Sequence, residues 1–312
     1  MMGKTTEFVT FKATDGNQAV FPVATVTGSK PGPTVTVTAG IHGCEYAGIA
    51  AAVRLFKALD PEKVSGTVKI VTITSLISFE ERRMFVCPVD GKNPNRFFPG
   101  DPKGSFTEQY VYFLMENIIT KGDYYIDLHG GDMVEALEDF AIYHLEDNDV
   151  SKKSYEMAYY YGLPNLVSTK AGGAWPDDGT TYANAAKRGV PGIITEAGAV
   201  GQLHEKDTLA HLNGLLNVLK YTGTLEGKPA EPPKPQVYTG MTWLYTTSPK
   251  GIFYKTVESG MMIKKGDPVG VLEDYFGNEL ERPVAPASGK VLFVTTSPAM
   301  AEKGLIMGVA TE

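Results

Sequence analysis

Four prolines fall within seven positions at residues 229–235, and this run constrains the chain more than any other feature. Prolines at that density lack the N–H groups that helices and sheets need, so they favour an extended spacer. The predicted division is a catalytic domain over residues 1–225, a proline-rich linker over 226–236 and a small β domain over 237–312. Before the run, strand-like segments at 34–39, 68–74, 124–128 and 192–195 alternate with helical patterns at 47–59, 154–161, 182–187 and 207–221. Such alternation predicts an α/β domain around a largely buried sheet. After the run, short β segments at 251–254, 268–272, 289–294 and 304–309 are separated by Gly, Pro, Asn and Ser. Their spacing predicts a small all-β barrel or sandwich without a helix of useful length.

Composition excludes several classes. With 43% apolar residues the chain can bury a full core and is not disordered. Its longest dense apolar run, at 70–79, is interrupted by Thr and Ser and falls short of the ~20 residues of a membrane span. The opening Met-Met-Gly-Lys-Thr-Thr-Glu shows no apolar core of a secretory signal. Cys44 and Cys87 are too few for a disulfide scaffold and suit a reducing compartment. A net charge of −7 argues against a phosphate-binding surface. The expectation is a soluble, cytoplasmic protein with no nucleic-acid or membrane partner, and with assembly into a homo-oligomer left open.

Four polar elements carry the chemistry. Gly40-Ile-His42-Gly-Cys44-Glu45 stands where a strand ends and a helix begins, and its three-residue spacing lets His42 and Glu45 turn toward one point. Asp127-Leu-His129-Gly-Gly-Asp132 also runs from a strand into glycines. Two His and one carboxylate at strand ends form the ligand set of a catalytic zinc with an open fourth position. Either His alone reads more readily as a core or loop residue; the argument is the joint pattern. Glu196, closing an apolar strand before Ala197-Gly198, sits where partial desolvation raises a carboxyl pKa and suits it to proton transfer, or it caps the following helix. Arg82, Arg83 and Arg96 lie in a Pro/Gly-rich loop over 82–100, where arginines clamp carboxylates or oxyanions, or simply decorate a surface. Cys44 reads as a small packing residue, and His144, His204 and His211 as structural or solvent-facing.

In this order, His42-Gly-Cys-Glu45, Asn95-Arg96 in Pro-Asn-Arg-Phe-Phe-Pro-Gly, Asp-Leu-His129 and Thr-Glu196-Ala-Gly resemble the succinylglutamate desuccinylase/aspartoacylase family of zinc carboxypeptidase-like hydrolases. The resemblance implies a carboxypeptidase-like mixed sheet flanked by helices, plus a C-terminal β domain. It implies that His42, Glu45 and His129 hold one zinc ion per chain, with Asp127 orienting a bound imidazole. By the same resemblance Glu196 is general base and then acid, Asn95 and Arg96 hold a substrate carboxylate, and Tyr182 contacts substrate. Arg83 would polarise the scissile carbonyl, with Arg82 its rival. The implied reaction is hydrolysis of the linear amide bond of a small N-acylated amino acid or close analogue. The alternatives are a zinc carboxypeptidase acting on short peptides and a non-catalytic ligand-binding protein on the same fold.

Two departures bear on the substrate. The family's Asp-Leu-Asn-Arg is Asn93-Pro-Asn-Arg96 here, and Ala185-Ala186 stand where aspartate-specific members carry an arginine. A second substrate carboxylate is therefore not implied. Gly260-Met-Met-Ile-Lys-Lys-Gly-Asp-Pro resembles biotinyl/lipoyl-type folds, but no lysine has the usual attachment flanks, so no covalent cofactor is expected. The β domain is expected over the site mouth, with Tyr275 and Phe276 either reaching in or packing in its core.

Overall fold

Thr34, Thr36 and Thr38 alternate with Val35, Val37 and Ala39, and this two-residue period makes a strand with different chemistry on each face. The computed structural model, which describes residues 2–170 and 177–312, places them in β3 (Lys30–Ala39) within a nine-stranded sheet. Its other members are β1 (Gly3–Lys12), β2 (Gln18–Thr27), β4 (Ser65–Val71), β5 (Tyr124–His129), β7 (Phe140–His144), β8 (Asn165–Thr169), β9 (Gly192–Glu196) and β10 (Gln236–Tyr238), in the order β1-β2-β4-β3-β5-β9-β7-β8-β10. The strands β4, β3, β5 and β9 are parallel neighbours, while β7 runs antiparallel to β9. Parallel alignment puts the carboxyl ends of β3, β5 and β9 on one edge, the place where open α/β sheets bind ligands.

Helices cover both faces. On one, Ile49 and Leu55 of α1 (Tyr46–Ala58), Met157 of α4 (Asp149–Tyr161) and Leu215 of α6 (Glu205–Tyr221) pack with Val35, Val37, Ile126 and Leu128. On the other, Tyr110, Leu114 and Met115 of α3 (Phe106–Asn117) and Ala185 of α5 (Thr181–Lys187) pack with Phe21, Val71 and Tyr125. A short α2 (Leu76–Glu80) opens the long loop that leads to α3. Hydropathy patterning does not mark α3 or the β1–β2 hairpin. The local signal for α3 is the Ser105-x-x-Glu108 pattern at its start, where Glu108 Oε2 accepts from the Ser105 N–H at 2.9 Å.

The C-terminal part is two packed antiparallel sheets. One contains β11 (Gly240–Tyr245), β18 (Leu305–Thr311), β16 (Gly289–Thr295) and β13 (Met262–Ile263). The other contains β15 (Glu279–Glu281), β14 (Gly270–Glu273), β12 (Gly251–Lys255) and β17 (Ala299–Met300). Phe253, Leu272, Val291, Ile306 and Val309 share the core between them. Strands also cross between the two parts. The proline run leads directly into β10, which pairs with β8 in the large sheet, and β6 (Glu135–Leu137), from the loop after β5, pairs with β16. A further cluster joins Phe140, Ile142 and Ile194 to Met241, Leu292 and Phe293. Among the described residues no helix is long and apolar enough to cross a membrane.

The loop before α3 is tied down by Lys92, whose Nζ donates to Glu108 Oε2 at 2.7 Å. That bond, with the Ser105 N–H, holds the Glu108 carboxyl at about 2, below its ordinary 4.5. A depressed folded-state pKa contributes stability above the unfolded value that is lost as pH falls from about 4.5 toward about 2. Glu108→Gln is expected to lower stability at pH 7 by ~1 kcal/mol or less, the scale of a half-exposed pair. Urea unfolding across pH checks this: the gap between variant and wild type should close near pH 2.

Candidate active site

The chain leaves β3 through Gly40, whose φ of +67° is the left-handed conformation glycine adopts without strain. The turn brings His42 and Glu45 beside the end of β5, where His129 is the last strand residue. Gly43 admits no side chain, since a Cβ would stand 2.3 Å from the Phe79 backbone nitrogen. His42 Nδ1 lies 2.6 Å from Glu45 Oε1, and His129 Nδ1 lies 2.8 Å from Glu45 Oε2. Ligating atoms of all three lie within 4.8 Å of one another, and the three residues could hold a metal ion. All three are buried.

Each imidazole has a separate partner for its other nitrogen. His129 Nε2 lies 3.1 Å from Asp127 Oδ2, and Asp127 is itself fixed by the hydroxyls of Thr38 at 2.7 Å and Thr181 at 2.6 Å. His42 Nε2 lies 3.0 Å from Asn93 Oδ1. Donation from both Nε2–H groups leaves both Nδ1 lone pairs facing the same point, the arrangement that fixes a metal-ligating tautomer. The residues therefore fit a metal that takes two imidazoles and a carboxylate. Without it the charges compensate internally. Burial opposes charge on Glu45, yet His42 and His129 hold its carboxyl at about 2. Burial likewise opposes charge on His129, but Glu45 and Asp127 raise its pKa well above the usual imidazole value.

This cluster opens on a cavity of about 560 Å³ whose walls include His42, Glu45, Asn93, Asn95, Arg96, His129, Glu135 and Glu196. Glu196 ends β9 and stands in register with His129. Burial, with Glu45 and Glu135 nearby, pushes its carboxyl well above the ordinary range, and His129 opposes them. The turn after Glu196 is braced by His211, whose Nε2 lies 3.2 Å from the Ala197 carbonyl oxygen. Burial lowers the His211 pKa to about 4, so it is a neutral structural donor there. Arg96 lies over the Trp243 ring at 5.0 Å, and its Nη1 donates to the Asn95 carbonyl. Asn95 accepts from the Thr181 N–H through Oδ1 at 3.0 Å, which turns its amide nitrogen to the other side.

The structure thus gathers His42, Glu45, His129, Glu196, Asn95 and Arg96 around one space. It does not gather Arg83, Arg82 or Tyr182. Both arginines are exposed and outside the cavity wall, which this loop meets instead with Met84 and Phe85. Tyr182 is fully buried in the cluster that joins the two parts, with its hydroxyl 2.6 Å from Thr169 Oγ1. Tyr275 and Phe276 neither reach in nor pack in a core: they are 69% and 91% exposed, on the turn between β14 and β15. The aromatic wall comes instead from Trp243 and Tyr245 of β11, alternate strand positions facing one side. Glu135 was also missed, although it lies in the glycine-led loop after His129. Asn93 was readable as the residue replacing the aspartate of Asp-Leu-Asn-Arg. Cys44 is a buried, free thiol outside the metal-competent cluster.

Residues 31–222 match the catalytic domain of succinylglutamate desuccinylase/aspartoacylase. The chain belongs to this family. It is 30% identical to an N-alpha-acetyl-L-2,4-diaminobutyric acid deacetylase from Halomonas elongata, over 82% of this chain and 75% of that protein. Its fold is that of the product-bound ectoine utilization protein EutE (DoeB) from Ruegeria pomeroyi, with TM-score 0.86, 23% identity and coverage of 100% and 96% of the two chains. A succinylglutamate desuccinylase/aspartoacylase from Rhodobacter sphaeroides is similar, with TM-score 0.83, 24% identity and the same coverage. Family members of this kind are deacylases acting on small N-acyl amino acids.

Asp127 makes the metal cluster testable without touching a ligand. Asp127→Asn keeps the shape but removes the charge behind His129, and should weaken metal binding about 10- to 100-fold. Titration of metal-free protein with zinc against a competing chelator measures it.

Proposed function

We propose that the protein is a zinc-dependent hydrolase that cleaves the amide bond of a small N-acylated amino acid. The supporting observation is the convergence of His42, Glu45 and His129 on one side of a cavity that Glu196 and Arg96 also line. A cavity of about 560 Å³ is of the size that encloses a small molecule. The relatives' deacetylase and desuccinylase names point the same way.

His42, Glu45 and His129 would hold the zinc, which when bound supplies Lewis acidity to a water and to the scissile carbonyl. Glu196, whose desolvated carboxylate binds protons avidly, takes a proton from the attacking water as the C–O bond forms. It returns that proton to the amine nitrogen as the C–N bond breaks. The free Asn95 amide nitrogen and the outer guanidinium nitrogen of Arg96 hold the substrate carboxylate by charge-assisted hydrogen bonds. Stacking on Trp243 fixes the plane of that guanidinium. Arg83, at the exposed rim, would polarise the carbonyl only after residues 81–85 moved inward.

Elemental analysis should find close to one zinc per chain in wild type, together with release of acetate from Nα-acetyl amino acids. Glu196→Gln should retain that zinc and lose about 10²- to 10⁴-fold in kcat. Full activity in a zinc-loaded Glu196→Gln variant would refute the assignment of the base.

A further inference from the structure

His42 and His129 each donate to a residue behind them, and both donations lead to Asn95. His42 Nε2 lies 3.0 Å from Asn93 Oδ1, and that same oxygen accepts from the Asn95 N–H at 2.9 Å. His129 Nε2 lies 3.1 Å from Asp127 Oδ2, which also accepts from the Thr181 hydroxyl at 2.6 Å. Thr181, the first residue of α5, then donates its own N–H to Asn95 Oδ1 at 3.0 Å. With Glu45 between the two Nδ1 atoms, the contacts form a closed circuit. Asn95 is held at its main-chain N–H from the His42 side and at its side-chain oxygen from the His129 side. Its carbonyl in turn seats the Arg96 guanidinium, which donates from Nη1 at 2.6 Å. Both groups assigned above to the substrate carboxylate therefore hang from the two imidazoles.

We propose that Thr181 is a positioning residue that couples the metal site to the carboxylate site, so that zinc and a substrate carboxylate each tighten the binding of the other. This rests on the deacylase reading above and specifies how the two halves of its site are linked. Thr181 is fully buried and lies outside the cavity wall, so it acts only through its neighbours. Its hydroxyl is tied to the carboxylate behind His129, and its N–H to the amide oxygen of Asn95. A cation held by both Nδ1 atoms fixes the imidazoles in place, in the tautomer that donates from Nε2. Each Nε2–H then pins the oxygen behind it. Those same two oxygens hold the Asn95 N–H and the Thr181 hydroxyl. The Asn95 amide and the Arg96 fork are thereby set before a carboxylate arrives, and a site ordered in advance binds more tightly. Linkage makes the effect reciprocal: the factor that zinc adds to carboxylate affinity is the factor that the carboxylate adds to zinc affinity. Asn93 closes the other arm but lines the cavity itself, so Thr181 is where the circuit can be cut without altering the wall.

The test reads both directions of the linkage in a Glu196→Gln background, where turnover is slow. The probes are zinc, measured by chelator competition, and Nα-acetyl-L-alanine, measured by calorimetry, each with and without a saturating amount of the other. Each should raise the affinity of the other by one common factor. Thr181→Val keeps the shape and the N–H but removes the hydroxyl, and should cut that factor about tenfold, the scale of a hydrogen bond to a charged group. Thr181→Ser should restore it. The direct attraction between zinc and the probe is the part that survives in Thr181→Val. A factor unchanged by Thr181→Val overturns the inference, as does a fall that Thr181→Ser leaves unrepaired, the mark of a merely structural role. Equal affinity of the probe for zinc-free and zinc-loaded chain, or no binding to either, overturns it even if Thr181→Val fails to fold. Coupling that follows Thr181, in a chain whose Glu196 form turns over no N-acyl amino acid, would reject the hydrolase reading and leave this inference standing. Turnover without coupling would do the reverse.

Discussion

Buried charge must be paired, and in this protein the pairing runs as one chain from Thr38 and Thr181 through Asp127, His129 and Glu45 to His42 and Asn93. Breaking a buried pair strands the remaining charge at a cost of roughly 3–5 kcal/mol. The surrounding architecture is what makes such a chain tolerable. Parallel pairing of β3, β5 and β9 brings the members within reach, and the turn through Gly40 aims the first imidazole back at the second. Every member has a partner on each side, so the row is already set before any ion enters, with both Nδ1 atoms turned to Glu45.

The row was legible because strand ends are legible. An apolar β run that stops at a polar residue followed by glycine announces a site as well as a turn: His129-Gly130 has that form, Glu196 departs from it only by Ala197 before Gly198, and His42-Gly43 follows the turn at the end of β3. Side chains supplied from a distance left no such mark. Trp243 and Tyr245 are separated from the His42, Glu45 and His129 cluster by the whole proline run, and the crossing of β10 and β6 between the two parts brings them to the cavity. Glu135 was hidden for a different reason: it belongs to a three-residue strand in the other sheet, so its environment depends on a pairing with Thr295 that no local pattern encodes. Arg83 is the converse case. Charge and loop position suggested a role, but the exposed turn around Arg82, with φ of +53°, presents Met84 and Phe85 to the cavity.

The C-terminal sheets therefore act as part of the wall. Phe293, Thr295, Met300 and Leu305 line the same space as His42, Glu45 and His129, and Trp243 carries Arg96 on its face. Burial presses on the Arg96 charge, and Tyr245, Glu135, Tyr182 and Glu196 offset it, so this guanidinium is tuned from both parts of the chain. Removing water from this space strengthens each remaining polar contact, which makes the choice of wall residues decisive for what is accepted.

The two imidazoles are not equivalent. Behind His129 stands a carboxylate, fixed by two hydroxyls; behind His42 stands the neutral amide of Asn93, in the place of the aspartate of the family's Asp-Leu-Asn-Arg. A carboxylate partner raises ligand basicity more than an amide does, because it stabilises the partial positive charge that coordination places on the ring. With a metal in the site, His129 would accordingly be the stronger donor and His42 the weaker. The amide has its own logic, since Asn93 Oδ1 also accepts from the Asn95 N–H at 2.9 Å and so holds the loop that presents Asn95 and Arg96. An aspartate there would add a further carboxyl group to a space already lined by Glu45, Glu135 and Glu196. Asparagine keeps the hydrogen bonds and omits the charge.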